Sequence, residues 1–309
     1  MPGGKNVAIQ YSGTNINNTF VNSVGTRLEI VTGLSAALVA GGWTIISGTG
    51  TGNVLLESAT TPSPQSLVCR VQLFDPGSGN CAQIKFRNQA ATAEQANFHP
   101  LYAQASKTWR VIANPYQFFI FSTASVSAGR EFVAGGVPYL PSFLQGVITE
   151  AIWSMSNGRS DTDSYCSTTF RNNLITSTPN SQPNLWMDVN LNVWENFNNF
   201  VTNSYTGWPQ LIAQQGAQWT QTTGTNLYAP YKWHDDSVMV YEPLIAWGAA
   251  NYGDESKIRG QLWDAAIIGD AFGCDQETSF DTHNWWVITN GNYGSSGLFA
   301  RGSLVVVVP

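Results

Sequence analysis

The chain has 309 residues, of which 43% are hydrophobic and 12% aromatic, so it is long and apolar enough for a globular protein with a substantial core. Only 11% of the residues are charged, against roughly 25% in an ordinary soluble domain, and the formal net charge is −6. No run of Lys or Arg exists to neutralise phosphates, which argues against a dedicated nucleic-acid binder.

So few charges leave two ways to cover the surface. Asn, Gln, Ser and Thr can solvate it, or neighbouring subunits can bury it, since the cores of interfaces are poor in charge and rich in aromatic residues. The twelve Trp residues suit a protein of an assembly. A secreted polar β-protein such as a lectin is the alternative, and composition alone does not separate the two.

The beginning of the chain, MPGGKNVAIQYSG, lacks the basic region and apolar stretch of a secretory signal, so we expect folding in a cytoplasm. No segment holds about eighteen consecutive apolar residues, so we expect no membrane insertion. Residues 1–17 are rich in Gly and Asn and are predicted to form an N-terminal arm.

A helix is predicted over residues 19–40, because apolar side chains recur there at steps of three or four. Asn18 or Thr19 can cap its start, and Gly41-Gly42 ends it, although Gly25 and Gly33 interrupt the run. Short strands bounded by Gly, Pro, Ser or Asn follow at 43–47, 54–58, 67–75, 81–88, 109–113 and 116–121. The glycine-rich residues 48–52 lack the Lys-Ser/Thr ending of a phosphate loop and are predicted to form a hairpin turn.

The four cysteines show no CxxC spacing: Cys69, Cys81, Cys166 and Cys274. In the predicted hairpin of 67–75 and 81–88, pairing Leu73 with Ala82 places Cys69 opposite Phe86 and makes a consistent apolar face. That register separates the sulfurs of Cys69 and Cys81 by roughly 15 Å at ~3.4 Å per residue. This is beyond bridging reach, so reduced cysteines are expected.

The second half predicts aromatic-rich strands at 147–154, 238–247, 258–268, 285–289 and 303–308. A polar stretch at 156–225 is predicted to be mostly loops, with one short helix near 194–201. Trp263 is expected to be buried, and the very apolar strand at the C-terminus must be central in its sheet or completed by a neighbour. We therefore expect an α+β, mostly β fold: an arm at 1–17, an α+β domain with the helix on an antiparallel meander at 18–128, and a β-sandwich or barrel-like domain with long loops at 129–309.

Residues that could carry chemistry are sparse. Asp281 and His283 lie on one face of a strand and are weak candidates for a divalent metal site, and His234-Asp235-Asp236 is the other cluster with histidine. No Gly-x-Ser-x-Gly elbow occurs, which argues against nucleophilic hydrolysis. We predict a protein with no catalysis and no cofactor. A glycosidase would need two carboxylates, for which the candidates are Glu150, Asp161, Asp163, Glu195, Asp254 and Glu255.

Sugar binding is the strongest binding alternative. Trp285, Trp286 and Tyr293 could stack on a glycan, and Asn290 could bond it, or the same residues could contact a neighbouring subunit. Adjacent residues of a strand face opposite sides, so we expect only one of Trp285 and Trp286 in the core.

Several segments together resemble a family of virion-associated structural proteins of tailed phages and prophages, in which no defining catalytic signature is known. They are residues 34–43 (LSAALVAGGW), 54–58 (VLLES), 114–121 (NPYQFFIF), 259–265 (RGQLWDA), 281–285 (DTHNW) and 301–304 (RGSL). The resemblance covers nearly the whole chain and implies a component of the tail, the baseplate or the head–tail connection.

We therefore expect a non-enzymatic structural subunit of a phage virion, in the tail or baseplate. It would assemble with its own copies and with other virion proteins, helped by the N-terminal arm reaching onto an adjacent chain. The alternatives are a receptor-binding module for host glycans at the tail tip and a tail-associated glycosidase.

Overall fold

The computed structural model describes residues 8–88, 99–122, 132–142, 145–146, 151–156, 185–189, 195–196, 210–213, 241–248, 257–268, 277–280, 282–287 and 303–309. These residues form one α-helix and three antiparallel sheets, so the predicted class, α+β and mostly β, is confirmed. In these ranges no helix is both long and apolar enough to cross a membrane.

A seven-stranded sheet lies in the middle of the fold. In spatial order its strands are β1 (Ile16–Asn22), β7 (Lys107–Ala113), β8 (Gln117–Ser122), β9 (Phe132–Gly136), β10 (Ala151–Ser156), β11 (Leu185–Val189) and β12 (Glu195–Asn196). All six residues of β8 are buried, which is typical of a strand covered on both faces.

A five-stranded meander packs on one face of this sheet. Its strands follow one another in chain order: β2 (Thr44–Ser47), β3 (Asn53–Glu57), β4 (Cys69–Phe74), β5 (Cys81–Asn88) and β6 (His99–Tyr102). Phe86 of β5 stacks on Phe118 of β8 with the ring centroids 5.7 Å apart. The predicted hairpin turn at 48–52 is confirmed, because it joins the antiparallel pair β2 and β3.

A six-stranded sheet packs on the opposite face of the seven-stranded sheet. In spatial order its strands are β13 (Gln210–Ala213), β14 (Tyr241–Gly248), β15 (Lys257–Ile268), β18 (Ser303–Val308), β17 (His283–Val287) and β16 (Glu277–Phe280). Trp286 of β17 stacks on Phe121 of β8, so these two layers share an aromatic core. The apolar C-terminal strand β18 lies between β15 and β17 and is therefore central in its sheet, one of the two arrangements that its sequence allows.

Helix α1 (Arg27–Ala40) begins eight residues later than predicted and ends where predicted. Thr26 is the N-cap and forms a capping box with Glu29, while the preceding Gly25 has a φ of +78°. The residues expected to form the first turns of the helix instead make β1, which pairs with β7. The apolar spacing was misleading, because Phe20 packs from a strand against the core and Val24 is 71% exposed.

The predicted register of the β4–β5 hairpin is wrong by two residues: Val71 pairs with Phe86, and Cys69 pairs with Asn88. A slip of two residues keeps every side chain on the same face, so the apolar pattern could not exclude it. Cys69 and Cys81 are both buried thiols, in agreement with the expected reduced state.

Two further predictions concern the seven-stranded sheet: a short helix near 194–201 and a domain boundary between residues 128 and 129. Glu195 and Asn196 form strand β12 rather than part of a helix, because they pair with β11. The expected boundary between residues 128 and 129 falls between β8 and β9, which are hydrogen-bonded neighbours in the seven-stranded sheet.

Candidate functional site

Asp264 is a charged residue in the middle of an apolar strand. Its neighbours Leu262, Trp263, Ala265 and Ala266 are buried, and Asp264 itself is only 1% exposed. Its φ of +48° lies in the left-handed region, which Asp and Asn tolerate better than most residues. A carboxylate buried to this degree needs hydrogen-bond donors.

Three residues far from Asp264 in sequence supply these donors. The Ser12 backbone N–H donates to Asp264 Oδ1 at 2.8 Å, and its hydroxyl donates to Oδ2. Asn114 Nδ2 donates to the same Oδ2 at 2.7 Å, and the Asn15 side chain also bonds the carboxylate. Ser12, Asn15, Asn114 and Asp264 are referred to below as the Asp264 cluster.

Two opposing effects act on the pKa of Asp264. Burial raises the pKa of Asp264, and the hydrogen bonds from Ser12, Asn15 and Asn114 lower it. Burial is the larger effect, so the pKa lies above the usual value of an aspartate.

Asn114 is held in one orientation by the turn between β7 and β8. Its Oδ1 accepts hydrogen bonds from the backbone N–H groups of Tyr116 and Gln117, at 2.8 and 2.9 Å. Its backbone oxygen accepts from Trp43 Nε1 at 3.0 Å. The amide oxygen is therefore fully used, and Nδ2 must point towards Asp264.

Gln117 makes a second link between the seven-stranded sheet and β15. Its Oε1 accepts from the backbone N–H of Trp263 at 3.1 Å, and its Nε2 donates to the backbone oxygen of Trp263. This side chain takes the place of a neighbouring strand at that point, because neither β14 nor β18 pairs with Trp263.

Residues 8–12, called here the N-terminal segment, lie along the same part of β15. Gln10 forms a parallel bridge with Trp263, and the backbone oxygen of Gln10 accepts a hydrogen bond from the backbone N–H of Asp264 at 2.8 Å. Gln261 Nε2 donates to the backbone oxygen of Ala8 at 2.8 Å. The arm expected at 1–17 is therefore, over residues 8–17, packed on its own chain.

Tyr11 packs the N-terminal segment against strand β17. Its ring stacks on the imidazole of His283 with centroids 3.9 Å apart and planes within 5°. It also meets the indole of Trp285 edge-on, at 6.2 Å between centroids. The segment thus contacts both β15 and β17.

The arrangement holds a peptide segment in place and is not suited to catalysis. The groups that contact the carboxylate of Asp264 are hydrogen-bond donors from the same chain, and the side chain has almost no access to solvent. A general base has to reach a substrate proton, and this carboxylate is enclosed by its own donors.

The tryptophans predicted to contact a glycan or subunit are both buried. Trp285 is fully buried and Trp286 is 8% exposed, so the expectation that only one of them lies in the core is wrong. The reason is that β17 is covered on both sides, by the central sheet on the Trp286 side and by Tyr11 on the Trp285 side. Asn290 and Tyr293 lie outside the described residues.

Of the candidates for a metal site, only His283 lies in the described part of the chain. His283 is half-buried and stacked on Tyr11, whereas Asp281 lies outside the described residues, as do His234, Asp235 and Asp236. Among the residues that the structure describes, no group of three His, Cys, Asp or Glu side chains could hold a metal ion. Of the carboxylates proposed for glycoside cleavage, only the backbone of Glu195 is described.

A second buried polar pair joins the five-stranded and seven-stranded sheets. His99 Nε2 lies 3.0 Å from Ser154 Oγ, and both residues are buried. Burial lowers the pKa of His99 to about 3, so the imidazole is neutral at physiological pH. The pair resembles a nucleophile and base by residue type, but its depth in the core makes it a structural contact.

In the sequence, Asp264 belongs to the RGQLWDA motif, and no pattern singles out Ser12, Asn15 or Asn114. One signal was present: an aspartate inside the apolar run 262–266 has to be either exposed or paired. Its partners could not be found this way, because they lie 150 and 252 positions away.

Comparisons with known proteins gave no match, either to a protein-family model or to a curated protein. The resemblance to virion proteins of tailed phages therefore stays a prediction.

Proposed function

We propose that this protein is a non-enzymatic structural subunit of a tailed-phage virion, in the tail or baseplate, and that it acts by assembling with copies of itself and with other virion proteins. The observation that carries the proposal is the position of β1 at the edge of the described part of its sheet, together with exposed apolar side chains in this strand and in the residues that follow it. Val21 is 51% exposed, Val24 71% and Leu28 47%.

β1 is the first strand of its sheet and pairs only with β7 among the described strands. Its sequence, Ile-Asn-Asn-Thr-Phe-Val-Asn, contains no charge and no proline. Monomeric proteins usually protect such an edge with charged residues, proline or a bulge, because its N–H and C=O groups are a template for another strand. An unprotected edge flanked by exposed valines favours contact with another subunit.

The composition supports the same function. With 11% charged residues, the chain has few side chains to keep a large surface solvated, and burial between subunits reduces the surface that needs them. Asp264 and His99 each link separate layers of the described structure through a buried hydrogen bond, which suits a rigid building block. Of the residues named for glycan binding, Trp285 and Trp286 are buried, whereas Asn290 and Tyr293 lie outside the described ranges. Of the carboxylates named for a glycosidase, only the backbone of Glu195 is described.

Light scattering on the purified full-length protein tests the proposal. We expect the wild-type protein to form an oligomer of defined mass, and Val24→Asp to shift it towards the monomer by placing a charge beside the β1 edge. Val39→Asp is the matched control. Val39 is 44% exposed but lies near the C-terminal end of helix α1, about 16 Å along the helix axis from Leu28 in its first turn. A wild-type protein that stays monomeric at every concentration would contradict the proposal.

A further inference from the structure

We propose that in the assembly the N-terminal segment is exchanged between copies, so that residues 8–12 of one subunit occupy the site on β15 and β17 of its neighbour. This inference rests on the proposed function, since it names the contact through which copies are joined. The occupant is known from the structure itself, because the segment of the same chain already fills the site.

The receiving site is built from residues that are distant from the segment in sequence. Asp264, Gln261 and His283 hold it, through bonds to Ser12 and Ala8 and a stack on Tyr11. None of these contacts depends on which copy provides the segment. An exchange between copies therefore keeps the same interactions and adds those of the new subunit interface.

The site needs an occupant. Ser12 gives Asp264 two of its hydrogen bonds, and the carboxylate is almost completely buried. Withdrawal of the segment would leave acceptor atoms without these donors, which is unfavourable for a buried charged group. A subunit whose own segment is displaced therefore favours the segment of a neighbour over an open site.

Gly13 provides the hinge. Its φ is +76°, it is exposed, and a Cβ added there would meet nothing within 4 Å. The exposed position and the open space beside this residue allow the backbone to change direction there. Asn15 follows the hinge and bonds the carboxylate of Asp264 in its own chain, so the crossing is made by the three steps from Asn15 to Ser12, which span at most about 11 Å when extended. The exchange therefore requires the Asp264 clusters of donor and acceptor to lie close together at the interface.

Concentration decides which arrangement is populated. In a dilute monomer the segment is tethered to its own site, and this high effective concentration favours the closed form. In an assembly the neighbouring site is held at a similar distance, so the two sites compete on equal terms. The exchanged form should therefore appear together with the oligomer.

A photo-crosslinking experiment distinguishes the two arrangements. Tyr11 is replaced by p-benzoylphenylalanine, another aromatic residue, and these chains are assembled with an excess of ¹⁵N-labelled wild-type chains. Exchange predicts covalent dimers on a denaturing gel, with mass spectrometry joining an unlabelled peptide around residue 11 to a labelled peptide around 283. Cross-links confined to one unlabelled chain within a proven oligomer would overturn the exchange and leave the proposed function standing.

The same photo-reactive residue at Tyr116 is the matched control, because Tyr116 contacts Trp263 of its own chain with ring centroids 4.8 Å apart. It should give links within one chain only. If light scattering shows that wild-type chains never associate, then the proposed function fails and the exchange fails with it.

A hinge variant gives an independent measurement. Gly13→Val strains the left-handed backbone of the closed form, so we expect at least a threefold higher fraction of covalent dimer. Gly50→Val is the control, since Gly50 has a φ of +73° in the β2–β3 turn with equally open space. An unchanged fraction in Gly13→Val would contradict the assignment of the hinge.

Discussion

Asn114 donates a hydrogen bond from Nδ2 to Oδ2 of Asp264 at 2.7 Å, across 150 positions of sequence. Asn114 lies in the turn of the β7–β8 hairpin of the seven-stranded sheet, and Asp264 lies within β15 of the six-stranded sheet. The same carboxylate accepts from Ser12. One buried side chain thus connects two sheets and the N-terminal segment.

Asp264→Asn should lower the free energy of unfolding by about 1–3 kcal/mol. Asn suits the left-handed backbone, so the effect comes from the side chain. The NH₂ group of the new asparagine must face either the backbone N–H of Ser12 or Nδ2 of Asn114. The Asn114 side chain cannot turn, because Oδ1 of Asn114 already accepts a hydrogen bond from Gln117. Either orientation places two donors against each other.

Urea denaturation followed by tryptophan fluorescence measures this change. Asp75→Asn is the control, because Asp75 is paired with Arg27 near the surface, with 22% of its side chain exposed. Such pairs contribute only about 0–1 kcal/mol. Equal losses in the two variants would contradict a special role for the Asp264 cluster.

His99 makes the protein less stable in acid. Its pKa in the folded state is about 3, below the value of about 6.5 expected in the unfolded chain, so the unfolded state binds more protons between these values. The stability that the neutral imidazole contributes is therefore present above pH 6.5 and is lost as the pH falls towards 3. Within this window the slope is roughly 1 kcal/mol per pH unit.

His99→Gln should remove that slope, because Gln can keep an N–H near Ser154 Oγ without titrating. Unfolding free energies of both proteins are measured between pH 7 and 4. The difference between them isolates His99 from Asp264, whose raised pKa acts in the opposite direction, favouring the folded state as the pH falls. Parallel curves for the two proteins would show that His99 does not control acid stability.

Gly33→Ala should destabilise the protein, although Ala normally stabilises a helix interior by up to about 1 kcal/mol. A Cβ at Gly33 would lie 2.4 Å from Cδ2 of Phe20, so helix α1 would be forced away from β1. We expect a loss of about 1–3 kcal/mol. In a Phe20→Leu background the added methyl group has space, and the same substitution should cost little. A thermal unfolding cycle with all four proteins measures this coupling, and additive effects would contradict it.

Arg110→Lys should weaken the contact between the seven-stranded and six-stranded sheets. The Arg110 guanidinium carbon lies 3.1 Å from the ring centroid of Trp286, while its Nε donates to Asn17 Oδ1 at 2.7 Å. A lysine cannot stack and donate in this way at once, so we expect a loss of about 1–2 kcal/mol. Arg70→Lys, at a cross-strand pair with Glu57, is the control in the same melting experiment and should cost less than about 1 kcal/mol. Equal shifts would contradict the proposed role of the stack.

Local patterns predicted much of the fold. The strands at 81–88 and 303–308 coincide with β5 and β18, because alternation and β-branched residues are properties of the segment itself. The start of α1 was missed, since spacing alone does not separate a strand from a first helical turn when both place Phe20 on the core. The capping box of Thr26 and Glu29 was the better signal.

The candidate site could be predicted only in small part. Asp264 stands out as a charge within an apolar strand, but Ser12 and Asn114 are brought to it by the packing of separate elements. The burial of both Trp285 and Trp286 likewise depends on what covers each side of β17, which alternation along one strand does not reveal.

Quantitative peptide mass spectrometry of purified virions tests most directly whether this chain is built into a phage particle in many copies. We predict peptides from this chain in intact particles, at a constant ratio of several copies to one of a known tail protein. Absence of the chain from purified virions, with all of it recovered free in the lysate, would contradict the account.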